Sequence, residues 1–170
     1  MATTLSIPSI SGQVQWTFTD IKDWGNSVNS SVFSYSTYFT DGTGAGKVNK
    51  IYISYSTIAA SGNVTFDLAG SLLDMFGNTI TMTKVKVIYF ELLNSTSASS
   101  VLIGAGTNPM VNWVAAAGDA VRVRNGGFFL LSCSDATGYA VTAGTADVLR
   151  ILNEDSSNIA TYRVVILGEG

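Results

Sequence analysis

The 170-residue chain contains no histidine, one cysteine and two prolines, and only 12% of its residues are charged. Each shortage excludes something. Without histidine the commonest general base and metal ligand are missing, which rules out a Ser-His-Asp triad and a Cys-His dyad. No zinc site is expected from a single cysteine. Cys133 has no second cysteine to pair with, and it closes the apolar run Phe128-Phe129-Leu130-Leu131-Ser132. A buried structural thiol is the expectation there, since nothing nearby in the sequence would lower its pKa. The nine Lys and Arg residues are scattered and the net charge is -3, so there is no basic stripe to neutralise phosphates and no nucleic-acid partner is expected. No apolar run has the length of a membrane span. The opening Met-Ala-Thr-Thr-Leu-Ser-Ile-Pro-Ser-Ile lacks a positive n-region and a continuous apolar stretch, so no secretory signal is expected.

What is present is apolar and turn-rich. Hydrophobic residues make up 46% of the chain and the mean hydropathy is +0.31. A chain this poor in charge, against a usual share of about 25%, is expected to keep much of its surface in contacts with other molecules. From Asn63 to Gly168 short apolar or alternating runs recur about every ten residues between turn clusters, the pattern of a β-sandwich, barrel or jelly roll. The helical period is nearly absent.

Residues 1–12 read as an extended N-terminal arm with Leu5, Ile7, Pro8 and Ile10 as its apolar contacts, which either frays or straps onto a neighbouring subunit. Residues 13–62 read as N-terminal strands that pack on the sandwich or on a partner. Strands are expected at 13–18, 32–39 and 50–57, with loops at 20–29 and 41–46. Nine of the eighteen aromatic residues lie in the first 60 positions, giving this third an aromatic face of its own. Residues 63–170 read as the sandwich core module. Within it the pattern predicts a helical turn at 71–76, a central strand apolar on both faces at 85–93, and short strands at 101–103, 110–114, 121–124, 128–133, 139–142, 147–152 and 161–167. Asn125-Gly126 between two strands predicts a type I′ hairpin turn, with Val121 and Val123 facing in and Arg122 and Arg124 facing out. The class is therefore all-β, a sandwich or jelly-roll-like fold of about 9–12 short strands.

Chemistry is hard to find in this pattern. Asp41-Gly42-Thr43-Gly44-Ala45-Gly46-Lys47 is one residue short of a phosphate loop, is followed by Val48 instead of Ser or Thr, and leads into no helix. It reads as a hairpin loop. The carboxylate pairs Asp20/Asp23 and Glu154/Asp155 fall among Ser, Asn and Gly, where solvation keeps a carboxyl from acting as an acid. The oxygen-rich stretch 152–158 reads as a turn before it reads as a calcium loop. Trp24, Tyr35, Tyr38, Tyr52 and Tyr55 suit either a core or interface role or a sugar-stacking platform. No catalytic residue, metal or cofactor is assigned.

Several stretches carry a resemblance. They are Leu72-Leu73-Asp74-Met75-Phe76-Gly77-Asn78-Thr79-Ile80-Thr81 with residues 85–94, Gly126-Gly127-Phe128-Phe129-Leu130-Leu131, and Asp135-Ala136-Thr137-Gly138-Tyr139-Ala140-Val141-Thr142-Ala143-Gly144-Thr145-Ala146-Asp147 running into Leu149 and Ile151. With the ending Tyr162-Arg163-Val164-Val165-Ile166-Leu167-Gly168, this text resembles a module of tailed-bacteriophage virion structural proteins. The resemblance covers about two thirds of the chain and is most specific in the Gly-Tyr-x-Val-Thr-x-Gly-Thr-x-Asp run. It implies a non-enzymatic capsid decoration (cement) protein with a jelly-roll-like module, usually homotrimeric. Such a protein is made in the host cytoplasm and binds the major capsid protein on the outer capsid surface of the virion. It transfers no catalytic residues. The first 60 residues lie outside the pattern, so a receptor- or glycan-binding module of a tail fibre or lectin type stands as the alternative.

Overall fold

The computed structural model describes Ser6, residues 8–93 and residues 100–170. Fifteen strands account for the regular structure of these residues: β1 Ser9–Asp20, β2 Ser27–Tyr38, β3 Thr40–Asp41, β4 Lys47–Val48, β5 Lys50–Ile58, β6 Asn63–Asp67, β7 Leu72–Leu73, β8 Thr79–Ile80, β9 Lys84–Leu92, β10 Ser100–Gly104, β11 Ala120–Arg124, β12 Phe128–Ser132, β13 Tyr139–Ala140, β14 Val148–Asn153 and β15 Ala160–Glu169. The fold is all-β, as the turn spacing predicts, and no helix occurs among the described residues.

Two sheets make the body. One has the order β11-β10-β14-β6 and the other β12-β9-β15-β5, with β13 also paired to β9. Taking the eight long strands β5, β6, β9, β10, β11, β12, β14 and β15 in chain order, the second sheet reads first-eighth-third-sixth and the first reads second-seventh-fourth-fifth. That is the jelly-roll order, a nested series of antiparallel pairs wrapped so that alternate pairs fall in opposite sheets. Phe66, Val101, Ile103, Val123, Leu149 and Ile151 of the first sheet meet Ile88, Phe90, Leu92, Tyr162, Val164 and Ile166 of the second in one buried core. Phe66 bridges the layers, with its ring centroid 6.3 Å from that of Tyr162. β9 lies between β12 and β15, and it is apolar on both faces because a buried cluster packs on each side of the sheet. Its inward side lines the core, while Val87 joins Phe39, Val48 and Leu167 in a second buried cluster on the outer face of the same sheet.

Several expectations need correction. Asn125-Gly126 makes no hairpin: β11 and β12 belong to different sheets, and the dipeptide is the crossover between them. Gly126 has φ 75°, but Asn125 does not share a positive φ, so the type I′ geometry is absent. The N–H of Gly126 bonds instead to the carbonyl of Leu92 at 3.0 Å. The arginine–valine alternation of β11 is as expected, with Val123 buried and Arg122 and Arg124 exposed.

The stretch 71–76 forms no helical turn. The Asp74 carboxylate accepts the N–H groups of Phe76 and Asn78, each at 2.8 Å, and so supplies a local alternative to helical hydrogen bonds. Residues 110–114 form no strand. Met110 is buried as an anchor, and the Trp113 indole donates to the Met110 carbonyl at 2.8 Å within a series of turns. The loop expected at 20–29 shrinks to a tip at 21–26, because β1 and β2 run on to Asp20 and from Ser27. β5 pairs along its length with β15, so the sandwich itself begins at Lys50.

Candidate functional site

β1 and β2 pair with each other over twelve positions, from Ser9 with Tyr38 to Asp20 with Ser27, and with no other strand among the described residues. The pairing has no register shift, and the strands would span about 40 Å at the usual rise. The local sequence explains the ribbon: apolar–polar alternation in 9–20, a β-rich and uncharged run in 27–38, a tip at Trp24-Gly25-Asn26, and Gly25 at φ 131° with its N–H on the Lys22 carbonyl at 3.1 Å.

Side chains of alternate residues share a face. Register therefore puts Ile10, Val14, Trp16 and Phe18 beside Phe33 and Tyr35 on one side. The other side carries Ser9, Ser11, Gln13, Gln15, Thr17 and Thr19 with Ser30, Ser34 and Ser36, interrupted by Val28, Val32 and Tyr38. One face is thus aromatic and aliphatic, yet it lies open: Val14 is 63% exposed, Phe18 70% and Phe33 66%. No Asp, Glu, Lys or Arg occurs in either strand except Asp20, which pairs with Lys22 at 3.0 Å at the tip. Trp16 donates its indole N–H to the Asn29 carboxamide at 3.1 Å.

The second apolar surface is the outer face of the sheet β12-β9-β15-β5. Phe39 and Val48 cover its end near Val87 and Leu167 completely, and Ile10 packs against that cluster. Beyond this cover the face is open at Ile53, Tyr55 and Phe128, which are at least half exposed. Between the covered and open parts lies a groove of about 390 Å³ lined by Ile10, Val87, Tyr89, Leu130 and Val165 among others. Its nearest charges, Glu91 and Arg163, pair with each other at 3.3 Å.

Of the expected arm contacts, Pro8 and Ile10 are half-buried on the chain's own body. The Pro8 carbonyl accepts the Phe39 N–H at 2.9 Å, and residues from Ser9 onward belong to β1. Leu5 and Ile7 lie outside the described residues. The five aromatics weighed as a sugar platform are dispersed. Trp24 is at the ribbon tip, Tyr35 and Tyr38 are on opposite ribbon faces, Tyr55 is on the outer sheet face, and Tyr52 packs inward 5.5 Å from Phe66.

The polar groups of the motifs weighed as sites have structural partners. Lys86 is fully buried and its ammonium meets Glu169 Oε1 at 2.9 Å and the Asp135 carbonyl. The Gly44 N–H, which a phosphate loop would offer to ligand, donates to the same Glu169 carboxylate at 3.1 Å. Burial pushes the Glu169 carboxyl up, but hydrogen bonds from Lys86 and Gly44 and the charges of Lys86 and Lys84 outweigh it and hold the group below the usual range. Glu154 takes a two-pronged contact from Arg122, at 2.8 Å on each oxygen, and this lowers its pKa. The oxygens of 152–158 serve a turn: Asp155 accepts the N–H groups of Ser157 and Asn158, and buried Asn153 donates to the Asn158 carbonyl at 2.8 Å. Burial, and then the Asp135 charge, pushes the Cys133 thiol up, which disfavours the reactive thiolate. Among the described residues no three His, Cys, Asp or Glu side chains group as metal ligands would.

The sequence signal for the ribbon was the absence of charge from 9–19 and 27–38, on either side of a turn that holds Asp20, Lys22 and Asp23, together with the aromatic face. Nothing local marked that face as uncovered. Comparison with protein-family models, with curated proteins and with solved structures finds no match to the chain.

Proposed function

We propose that this chain is a non-enzymatic structural protein of a tailed-phage virion, a decoration protein that binds the major capsid protein on the outer capsid surface and stabilises the head. The observation that carries the reading is the pairing of a jelly-roll body with a long ribbon, charged only at its tip, whose apolar face stands open. A decoration protein needs rigid contact surface and no reactive centre. Many copies on one shell turn individually weak contacts into tight attachment by raising effective concentration. The jelly roll supports this by analogy only, since capsid and lectin domains share that architecture with unrelated proteins. The sequence resemblance of the stretch from Asn63 to Gly168 supplies the phage assignment, and with it the expectation of a homotrimer.

Co-expression with a major capsid subunit encoded in the same genome, followed by density-gradient separation of particles, tests the proposal. The chain is expected in the particle fraction, and shell unfolding is expected to shift to higher temperature when it is present. A chain that remains wholly in the soluble fraction beside well-formed particles overturns the reading.

A further inference from the structure

We infer that the ribbon β1–β2 of one copy docks, by its apolar face, across the open outer face of the sheet β12-β9-β15-β5 of a second copy. Each copy then gives one ribbon and receives one. The inference rests on reading the ribbon as a contact surface, and it requires no capsid.

The first argument is a contact already made within one chain. Ile10 sits on the same ribbon face as Val14 and Trp16, and it packs against the cluster of Val87, Leu167, Phe39 and Val48 on this sheet. The sheet face therefore already accepts the root of the ribbon's apolar face. The remainder stays exposed: the unbroken twelve-position register has no bulge to bend it back onto its own body.

Shape is the second argument. The ribbon offers projecting rings, Trp16, Phe18 and Phe33, whereas the sheet and the root of its own copy's ribbon, residues 9–12, enclose a groove of about 390 Å³ floored by half-buried Tyr89, Leu130 and Val165 and flanked by Phe128. Ring into groove packs more densely than one ridge of rings against another. Charge agrees as well. The one charge on the ribbon face, Asp20 at its far end, already pairs with Lys22, and Glu91 and Arg163 beside the groove neutralise each other, so docking strands no ion.

Area decides that the exchange is mutual. Val14, Trp16, Phe18, Phe33 and Tyr35 leave on the order of 500 Å² uncovered, taking about 150–250 Å² for a whole aromatic side chain. A single ribbon on a single sheet would fall below the roughly 800 Å² per partner of a stable interface. Two copies that exchange ribbons put both contacts into one interface, which doubles the area and reaches that size. A ring of three instead buries the same total per copy, divided over two interfaces, and likewise satisfies every ribbon and leaves no open end.

The test uses the intact chain with no capsid present. Light scattering over a dilution series is expected to give a mass two or three times 17.9 kDa. The exposed double substitution Trp16→Ser/Phe18→Ser on the ribbon and the double substitution Tyr55→Ser/Phe128→Ser on the sheet are each expected to weaken association by about 30-fold or more, the scale of an interface hot spot. Both are expected to keep the wild-type circular dichroism spectrum. Mixing the two variants is expected to restore part of the association, because one intact ribbon can then meet one intact sheet. A wild-type monomer at about 100 µM overturns the inference. So does a sheet variant that associates as tightly as wild type while the ribbon variant does not, which would place the ribbons against each other. If either variant loses its fold, a disulfide between Phe18→Cys on one tagged copy and Tyr55→Cys on another replaces it: a cross-link supports docking and its absence overturns it. Assembly here with failure to join particles would sink the capsid proposal alone.

Discussion

The Lys86 ammonium and the Glu169 carboxylate meet where neither is reached by solvent, with relative exposures of 0% and 3%. Lys86 has three N–H donors, and the Glu169 carboxylate, the Asp135 carbonyl and the Gly44 carbonyl receive them. Removing one partner would leave a buried charge uncompensated. Glu169→Gln is therefore expected to lower stability by about 3–5 kcal/mol in urea unfolding, whereas Glu91→Gln, at an exposed pair, is expected to cost under about 1 kcal/mol.

The same carboxylates set the pH response. Glu169, Glu154 and Asp135 are all held below their ordinary values, Asp135 chiefly by the Gly138 N–H. A depressed carboxyl binds protons less readily in the folded state, so its contribution is complete above the unfolded pKa, about 4, and is lost as the pH falls through the folded value. Melting temperatures are expected to be flat from pH 7 to 5, where the lack of histidine leaves no side chain with an ordinary pKa to titrate. They are expected to drop steeply below pH 4, with a shallower drop in Glu169→Gln.

At the level of elements, the crossover and the ribbon show how one local pattern can have two outcomes. Asn125-Gly126 lies between two strands in sequence, which is what a hairpin requires, yet β11 leaves for one sheet and β12 joins the other. Only Gly126, at φ 75°, needs the left-handed region, and Gly126→Ala is expected to cost about 1–2 kcal/mol in the same urea assay. β1 and β2 alternate as a half-buried pair would, but their apolar side chains stay open. A two-stranded ribbon alone is at best marginal in water. Apart from Asp20 at the tip, its two edges lack the charges, prolines and bulges by which folded proteins discourage pairing with other chains. An element of this composition is built to be covered.

For the whole molecule, the jelly roll makes the earliest sandwich strand wait for the last. β5 pairs with β15, bringing Lys50 beside Gly168, and β15 also fills the space between β5 and β9. Contacts this distant along the chain close slowly, because loop entropy is lost before any pairing is gained. Refolding from urea, followed by stopped-flow fluorescence, is expected to take milliseconds to seconds. A sub-millisecond phase carrying the full amplitude would contradict that. Gly168 shows how tight the closure is: its register shifts within β15, and a Cβ there would come within 2.4 Å of the Lys84 carbonyl oxygen.

The sequence by itself determined the all-β class, the central place of β9 and the facing of Val123 and Arg122, because period-two alternation and turn residues act over a few neighbours. It also determined the absence of histidine chemistry. Only the tertiary structure decided that Asn125-Gly126 crosses between sheets, that Lys86 finds Glu169, that Tyr52 turns inward, and that the ribbon face is open while Phe39 and Val48 are sealed. The physical reason is common to all four. An apolar residue records in its neighbourhood which way it faces, but whether that face is buried depends on a strand or chain that arrives from far away.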